Sequence, residues 1–294
     1  IFIEGGTFQM GSGYEDERPV HQVTVSSFWI QEHEVTNEEY RRFVPGHQFP
    51  SGQERYPVVP VTWQQAMDYA ASRGGSLPTE AQWEFAARGT EGRTYPWGEA
   101  EPTCQRAQYA DCDGDAIPIP VMSRSAGATP EGVHDLAGNV TEWVRDWRGA
   151  YPSGAVTDPT GPAAGSERVW RGGSFYSFPY FLRGATRASQ SDPAPRGRNG
   201  FRVAWSAAGG VDVAAPAPPT ALPTATLPGV ALGQDVECLQ RYVNLSQGGA
   251  LGYKERTDRV GRCEGTFRPE VDDPVLWVAG FHESFEDFDP DSVP

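Results

Sequence analysis

SLPTEAQWEFAARG, Ser76 to Gly89, is the stretch whose reading decides the fold. Pro78-Thr79-Glu80 reads as a helix start: Thr79 can accept hydrogen bonds from the first turn, and Glu80 puts a negative charge where the helix dipole favours one. The segment then runs through Trp83, Phe85 and Ala86. The two large rings can supply buried area, while Glu80 and Arg88 are expected to pair with backbone groups or with each other. Working outward, Thr36 can cap a helix from Asn37 to Phe43 with Glu38 and Glu39 in its first turn, and Thr62 precedes a helix from Trp63 to Ala71. Between these helices, from Ile1 to about Ala208, short β-like runs alternate with Gly and Pro turns. Gly172 to Ser174 marks backbone positions where a side chain would clash.

The composition agrees with a fold rich in loops and large rings. The 294 residues include 12% aromatics with nine Trp, 34 Gly and 26 Pro, which exclude a helical bundle. A formal charge of −15 argues against nucleic acid or an anionic membrane as partner, since both need a concentrated basic patch. Divalent cations suit such a chain better, and a solvated acidic surface explains the charge equally well. No run approaches the roughly 18 to 20 apolar residues that cross a bilayer, so no direct membrane span is expected. The chain opens inside a strand-like segment, IFIEGGTFQMGS, without a signal-like region, which points to processing or to incomplete coverage of the start.

Length favours two units. Residues 1–208 form the first, residues 209–229 a Pro/Ala/Thr-rich extended linker, and residues 230–294 a small β-rich domain ending in an acidic tail. Four cysteines fall in two local pairs, Cys104 with Cys112 and Cys238 with Cys263, one pair in each unit. Read as two disulfides, they place the protein in an oxidising compartment: extracellular, periplasmic or at the cell surface. The second bridge would brace a unit too small to rely on its core alone.

Eight segments occur in register over the first unit: GGTFQMGS (5–12), ERPVHQVTVSSFWIQEHEVTNEEYRRF (17–43), PVVPVTWQQAMDYA (57–70), SLPTEAQWEFAARG (76–89), YPWG (95–98), GVHDLAGNVTEWVRDW (132–147), RVWRGGSF (168–175) and NGFRVA (199–204). Together they resemble the formylglycine-generating-enzyme (sulfatase-modifying factor) family. The resemblance implies an α+β fold, a loop-rich variant of the C-type lectin fold, over residues 1–208, and it does not extend to the second unit.

In the family's enzymes, a cysteine pair between the RGGS and GFR motifs binds copper(I) and activates oxygen to oxidise a substrate cysteine. Copper(I) needs soft thiolates. The matching stretch here, Phe175 to Asn199, contains no cysteine. Cys104, Cys112, Cys238 and Cys263 do not match the family's position. No copper is expected, and no enzyme. Another branch of the family holds iron with three His on an additional helical domain. That domain has no counterpart here, and His21, His33, His47, His134 and His282 lack ligand-like spacing.

The resemblance also implies structural Ca²⁺ at the GNxxEW motif, with Asn139, the Val140 carbonyl and Glu142 as hard oxygen ligands. The same residues could instead tie the loop together by hydrogen bonds. A second family Ca²⁺ site has no clear match, since Gln108 stands near its Asn position. Asp111, Asp113 and Asp115 alternate and could converge on a hard cation in its place, or form a solvated turn beside Cys112. They do not form an EF-hand loop, because Gly114 comes too early and Met122 stands where the closing Glu belongs. Of two glycosylation sequons, at Asn139 and Asn244, the first lies within the family motif and is expected to be buried.

Between RGGSF and GFR the chain interleaves Tyr176, Phe178, Tyr180 and Phe181 with Arg183 and Arg187. Tyr, Ser and Phe on a loop surface are the chemistry of paratopes, giving large contact area with few rotamers to freeze. The segment is similar in place to the varied segment of diversity-generating-retroelement variable proteins, several of which share this fold. The alternative is that the rings pack in the core. Two binding functions follow: a non-catalytic extracellular binding or assembly protein with a protein partner, or a ligand-recognition domain of the variable-protein type. A copper-dependent oxidase ranks third.

Overall fold

The computed structural model describes residues 1–112, 117–191 and 197–207. The expected linker (209–229) and the expected small β-rich domain (230–294), with Cys238 and Cys263, lie outside the described residues. The strands are β1 (Phe2–Ile3), β2 (Gly6–Met10), β3 (His21–Val25), β4 (Phe28–Ile30), β5 (Thr141–Trp147), β6 (Val156–Thr157), β7 (Glu167–Arg171), β8 (Arg187–Ser191), β9 (Asn199–Phe201) and β10 (Ala204–Ser206). The helices are α1 (Asn37–Phe43), α2 (Trp63–Ser72) and α3 (Glu80–Arg88). The fold is α+β with few helices.

All three helices begin where the sequence places them. Thr36, Thr62 and Thr79 each accept the N3 backbone N–H, while Glu39, Gln65 and Gln82 reach back to the cap's own N–H. Each start thus satisfies two donors that would otherwise lack partners. Helix α3 ends at Gly89, whose φ of +62° continues no helix.

Three small sheets carry the rest, in the orders β1-β4-β10, β2-β3-β6 and β8-β7-β5-β9. Strands β2 and β3 alternate, with Phe8, Met10, Val23 and Val25 inward and Gln9 and Gln22 outward. Strand β5 is central in its sheet and buried almost continuously, as a strand covered on both faces must be. It pairs antiparallel with β7 and parallel with β9, so the GNVTEW and NGFR motifs lie side by side.

Helix α3 lies against β5, with Trp83 and Phe85 in one hydrophobic core with Phe8, Phe28, Leu136 and Val169. The Trp83 indole N–H donates to the Glu142 carboxylate at 2.9 Å. Glu142 also receives Arg202 from the GFR segment at 2.7 Å on each oxygen. Arg171 pairs with Glu84, and Arg187 with Glu80. Buried charges persist only when paired in this way. Of the two arrangements expected for Glu80 and Arg88, pairing with backbone groups is seen at Arg88, which takes four backbone carbonyls besides Glu84 at 2.6 Å, whereas the two do not pair with each other, Glu80 taking Arg187. The glycines of RGGS sit where a side chain would collide. A Cβ on Gly172 would meet the Trp83 ring at 3.2 Å, and one on Gly173 the Phe181 carbonyl oxygen at 2.9 Å, both at positive φ.

Candidate functional site

The turn after RGGS leaves β7, passes through the 3₁₀ segment Pro179–Leu182 and enters β8. Leu182 is fully buried, in a cluster with Tyr95, Ala107, Tyr109, Cys112 and Ala137. Anchored there, the turn presents its rings to solvent: Phe178 is 63% exposed and Tyr176 61%, with Tyr180 and Phe181 also exposed. Core packing of these rings is thereby ruled out.

A fifth ring joins them from far away in sequence. Tyr14 packs edge-on against Tyr180 at 5.2 Å, and Tyr180 edge-on against Phe181 at 5.2 Å. Arg183 fastens the group. Its guanidinium lies 4.1 Å from the Tyr14 ring centre and 4.3 Å from that of Tyr180. It donates to both oxygens of Glu17, at 3.0 and 2.6 Å, and its Nε donates to the Tyr180 carbonyl. Burial pushes the Glu17 carboxyl up, but hydrogen bonds from Arg183 and Ser12 outweigh it and hold the group below the usual carboxylate range. The sequence gives no sign that Tyr14 belongs here. The Glu17 to Arg183 bridge, the Arg183 contact with its ring and its packing on Tyr180 bring it in.

The expected binding-surface set therefore divides. Tyr176, Phe178, Tyr180 and Phe181 form the face, and Arg183 lies mostly beneath it as its fastener. Arg187 is a correction: it is buried, held by Glu80, by the Gly149 carbonyl and by the Tyr151 ring 3.9 Å away. Its pairing explains the difference, since Arg187 opens β8 directly opposite Arg171 of β7, where Glu80 meets both guanidinium groups.

Beneath the face, Cys104 and Cys112 are joined in a disulfide with Cα atoms 5.5 Å apart, and the described residues hold no free cysteine. The Ala110 N–H donates to the Ser177 carbonyl, tying this loop to the aromatic turn. Asp111 is exposed on the same loop, while Asp113 and Asp115 lie outside the described residues.

Where Ca²⁺ was expected, Asn139 and Glu142 already have protein partners. The Asn139 Oδ1 accepts the Ile119 N–H, and both Glu142 oxygens accept Arg202. Among the described residues no three His, Cys, Asp or Glu side chains converge on one point. Yet Glu34, fully buried, leaves both carboxylate oxygens without a hydrogen bond. Burial raises its pKa well above the usual carboxylate range, and Asp135 and Glu142 beside it push the same way against the single Arg202. Three carboxyls near one guanidinium set like charges close together, so protonation of Glu34 is favoured. Gln108 is buried and bonded to Arg124. Asn139, the sequon residue, is buried.

This fold and site define a loop-rich α+β domain of the formylglycine-generating-enzyme type. The family model described as the sulfatase-modifying factor enzyme 1-like domain matches residues 1–207, and the chain belongs to that family. It is 38% identical over 237 residues to the serine/threonine-protein kinase Pkn1 of Chlamydia trachomatis serovar L2, covering 69% of this chain and 38% of that protein. The match thus spans well under half of the kinase. It is 32% identical over 278 residues to the formylglycine-generating enzyme of Streptomyces coelicolor, covering 69% of this chain and 88% of the enzyme. Among solved structures it resembles Treponema denticola variable protein 1, with TM-score 0.62, 24% identity, and coverage of 69% and 93%. PvdO from Pseudomonas aeruginosa is similar at TM-score 0.60 and 26% identity, with coverage of 70% and 93%. No helix among the described residues is long and apolar enough to cross a membrane.

Proposed function

We propose that this domain is a non-catalytic recognition module that binds a protein partner through the face formed by Tyr14, Tyr176, Phe178, Tyr180 and Phe181. The observation that carries the reading is this set of exposed rings, of which Tyr14 and Tyr180 are fastened by Arg183 and its bridge to Glu17, in the segment where the family's oxidases keep their copper-binding cysteines. Rings ordered before binding lose little entropy on contact, which is how aromatic anchors contribute most of an interface's affinity. The placement of the rings between RGGSF and GFR also supports ligand recognition of the variable-protein type. A disulfide under the face supports an extracellular, periplasmic or cell-surface setting.

Ca²⁺ belongs to the same proposal as a structural ion. The GNVTEW turn would hold it through Asn139, the Val140 carbonyl and Glu142. Support comes from the acidic surroundings of that turn, where Glu34 and Asp135 lie close enough to act on one another.

The absence of catalysis is tested by loading the purified protein with copper(I) and incubating it with a cysteine-containing peptide in oxygenated buffer. No stoichiometric copper uptake and no mass change at the peptide cysteine are expected. One bound copper with turnover of that cysteine would restore the oxidase reading.

A further inference from the structure

The loop from Cys104 to Cys112 is held in two different ways. Its first half is clamped by neighbours. The Arg106 backbone abuts Gly127 so closely that a Cβ there would lie 1.8 Å from the Arg106 carbonyl oxygen, and Gly138 packs likewise on Gln108. The Asn139 N–H donates to the Gln108 carbonyl, and the Tyr109 hydroxyl to the Pro102 carbonyl. The second half, Ala110 to Cys112, has the disulfide, the short Cys112 to Tyr109 backbone bond, and the Ala110 N–H bond to Ser177. Cys112 is also the part of this half that packs in the cluster around Leu182, the anchor of the aromatic turn. Cys104 is only half-buried, so a small thiol can reach its sulfur, whereas Cys112 is enclosed.

We propose that the Cys104–Cys112 disulfide is a redox-addressable site whose reduction by a dithiol releases residues 110–112 and loosens the aromatic turn at residues 174–182. The proposal rests on reading that turn as a recognition surface. In the reaction a thiolate of the dithiol attacks Cys104, the S–S bond breaks, and Cys112 leaves as a thiolate that takes up a proton. The second thiol of the reductant then displaces Cys104 and closes the reductant's own disulfide. Two electrons and two protons pass to the protein, which ends with two thiols. Release of Cys112 removes a packed sulfur from beside Leu182 and frees the Ala110 N–H from Ser177. The first half of the loop keeps its clamps, so the effect stays local.

The test is amide hydrogen exchange on the full chain, comparing the wild type with C104S/C112S, which leaves Cys238 and Cys263 untouched. Exchange over residues 174–182 is expected to quicken at least tenfold, with β5 and β7 unchanged. Wild-type protein in dithiothreitol provides a second reading should the variant fold poorly. Unchanged exchange at 174–182, or equal acceleration in β5 and β7, would overturn the proposal. Exchange is read without any partner present, so this result is separable from whether the face binds anything.

Discussion

Phe178 and Leu182 belong to one turn and carry opposite predictions. Phe178 spends its ring on solvent, so Phe178→Ser should change unfolding free energy by no more than about 0.5 kcal/mol. Leu182 fills the cluster against Tyr95 and Tyr109, so Leu182→Ala should cost about 2–5 kcal/mol in chemical denaturation. Glu34 gives a second test. Its folded pKa lies above its unfolded value, so it favours folding when protonated. Without metal that contribution is complete below about pH 4.3 and is lost as pH rises through the folded value. In EDTA at neutral pH, Glu34→Gln should therefore raise Tm. An unchanged Tm in EDTA would show that Glu34 carries no excess charge. At this scale the sequence was legible for the exposed rings, whose Tyr, Ser and Phe chemistry between RGGSF and GFR suggested a surface, with core packing as the alternative. It did not separate Arg183 and Arg187, two arginines of the same segment, of which one fastens the rings through Glu17 and the other is buried on Glu80. Tyr14 and Glu34 had no local signal, because each acquires its role only from residues distant in the chain.

The elements most readable from sequence are those whose stability is local. Each of the three helices carries its cap and its reciprocal N3 partner within four residues, and each begins as read. Thr36→Ala should cost about 1 kcal/mol of stability, since it leaves the Glu39 N–H without its acceptor. Glu39→Ala should cost less than Thr36→Ala in the same denaturation assay, because Thr36 keeps its bond to that N–H. The strands were less legible because their partners are remote. Strand β6 has only two residues, Val156 and Thr157, and finds β3 in parallel across a separation no pattern announces. Strand β9 likewise lies parallel to β5, and that pairing rather than any alternation brings Arg202 to Glu142.

Over the described domain most buried acids pair with a base, and Asp146, like Glu34, departs from that pattern with a pH signature. Burial, then the neighbouring Glu80 charge, pushes its carboxyl up to about 7. It lines a small cleft with His21, Tyr151 and Arg187, where its Oδ2 accepts the Glu80 N–H. A raised carboxyl stabilises the fold while protonated, so stability should decline as pH rises from about 4 toward 7. Asp146→Asn keeps an acceptor for that N–H and should flatten the decline, as followed by denaturation midpoints between pH 4 and 8. An equally steep decline in the variant would assign it to other groups. The fold of the first unit was readable because eight separate motifs agree with it, whereas what the aromatic face is proposed to bind leaves no mark in a single chain.

Recognition through that face is tested most directly by placing a photoreactive phenylalanine analogue at position 178 of the full chain in its native cell, with the same analogue at exposed Phe43 as control. Irradiation is predicted to give one discrete protein adduct from position 178 and none from position 43. No adduct from 178, or the same adducts from both positions, would contradict the account.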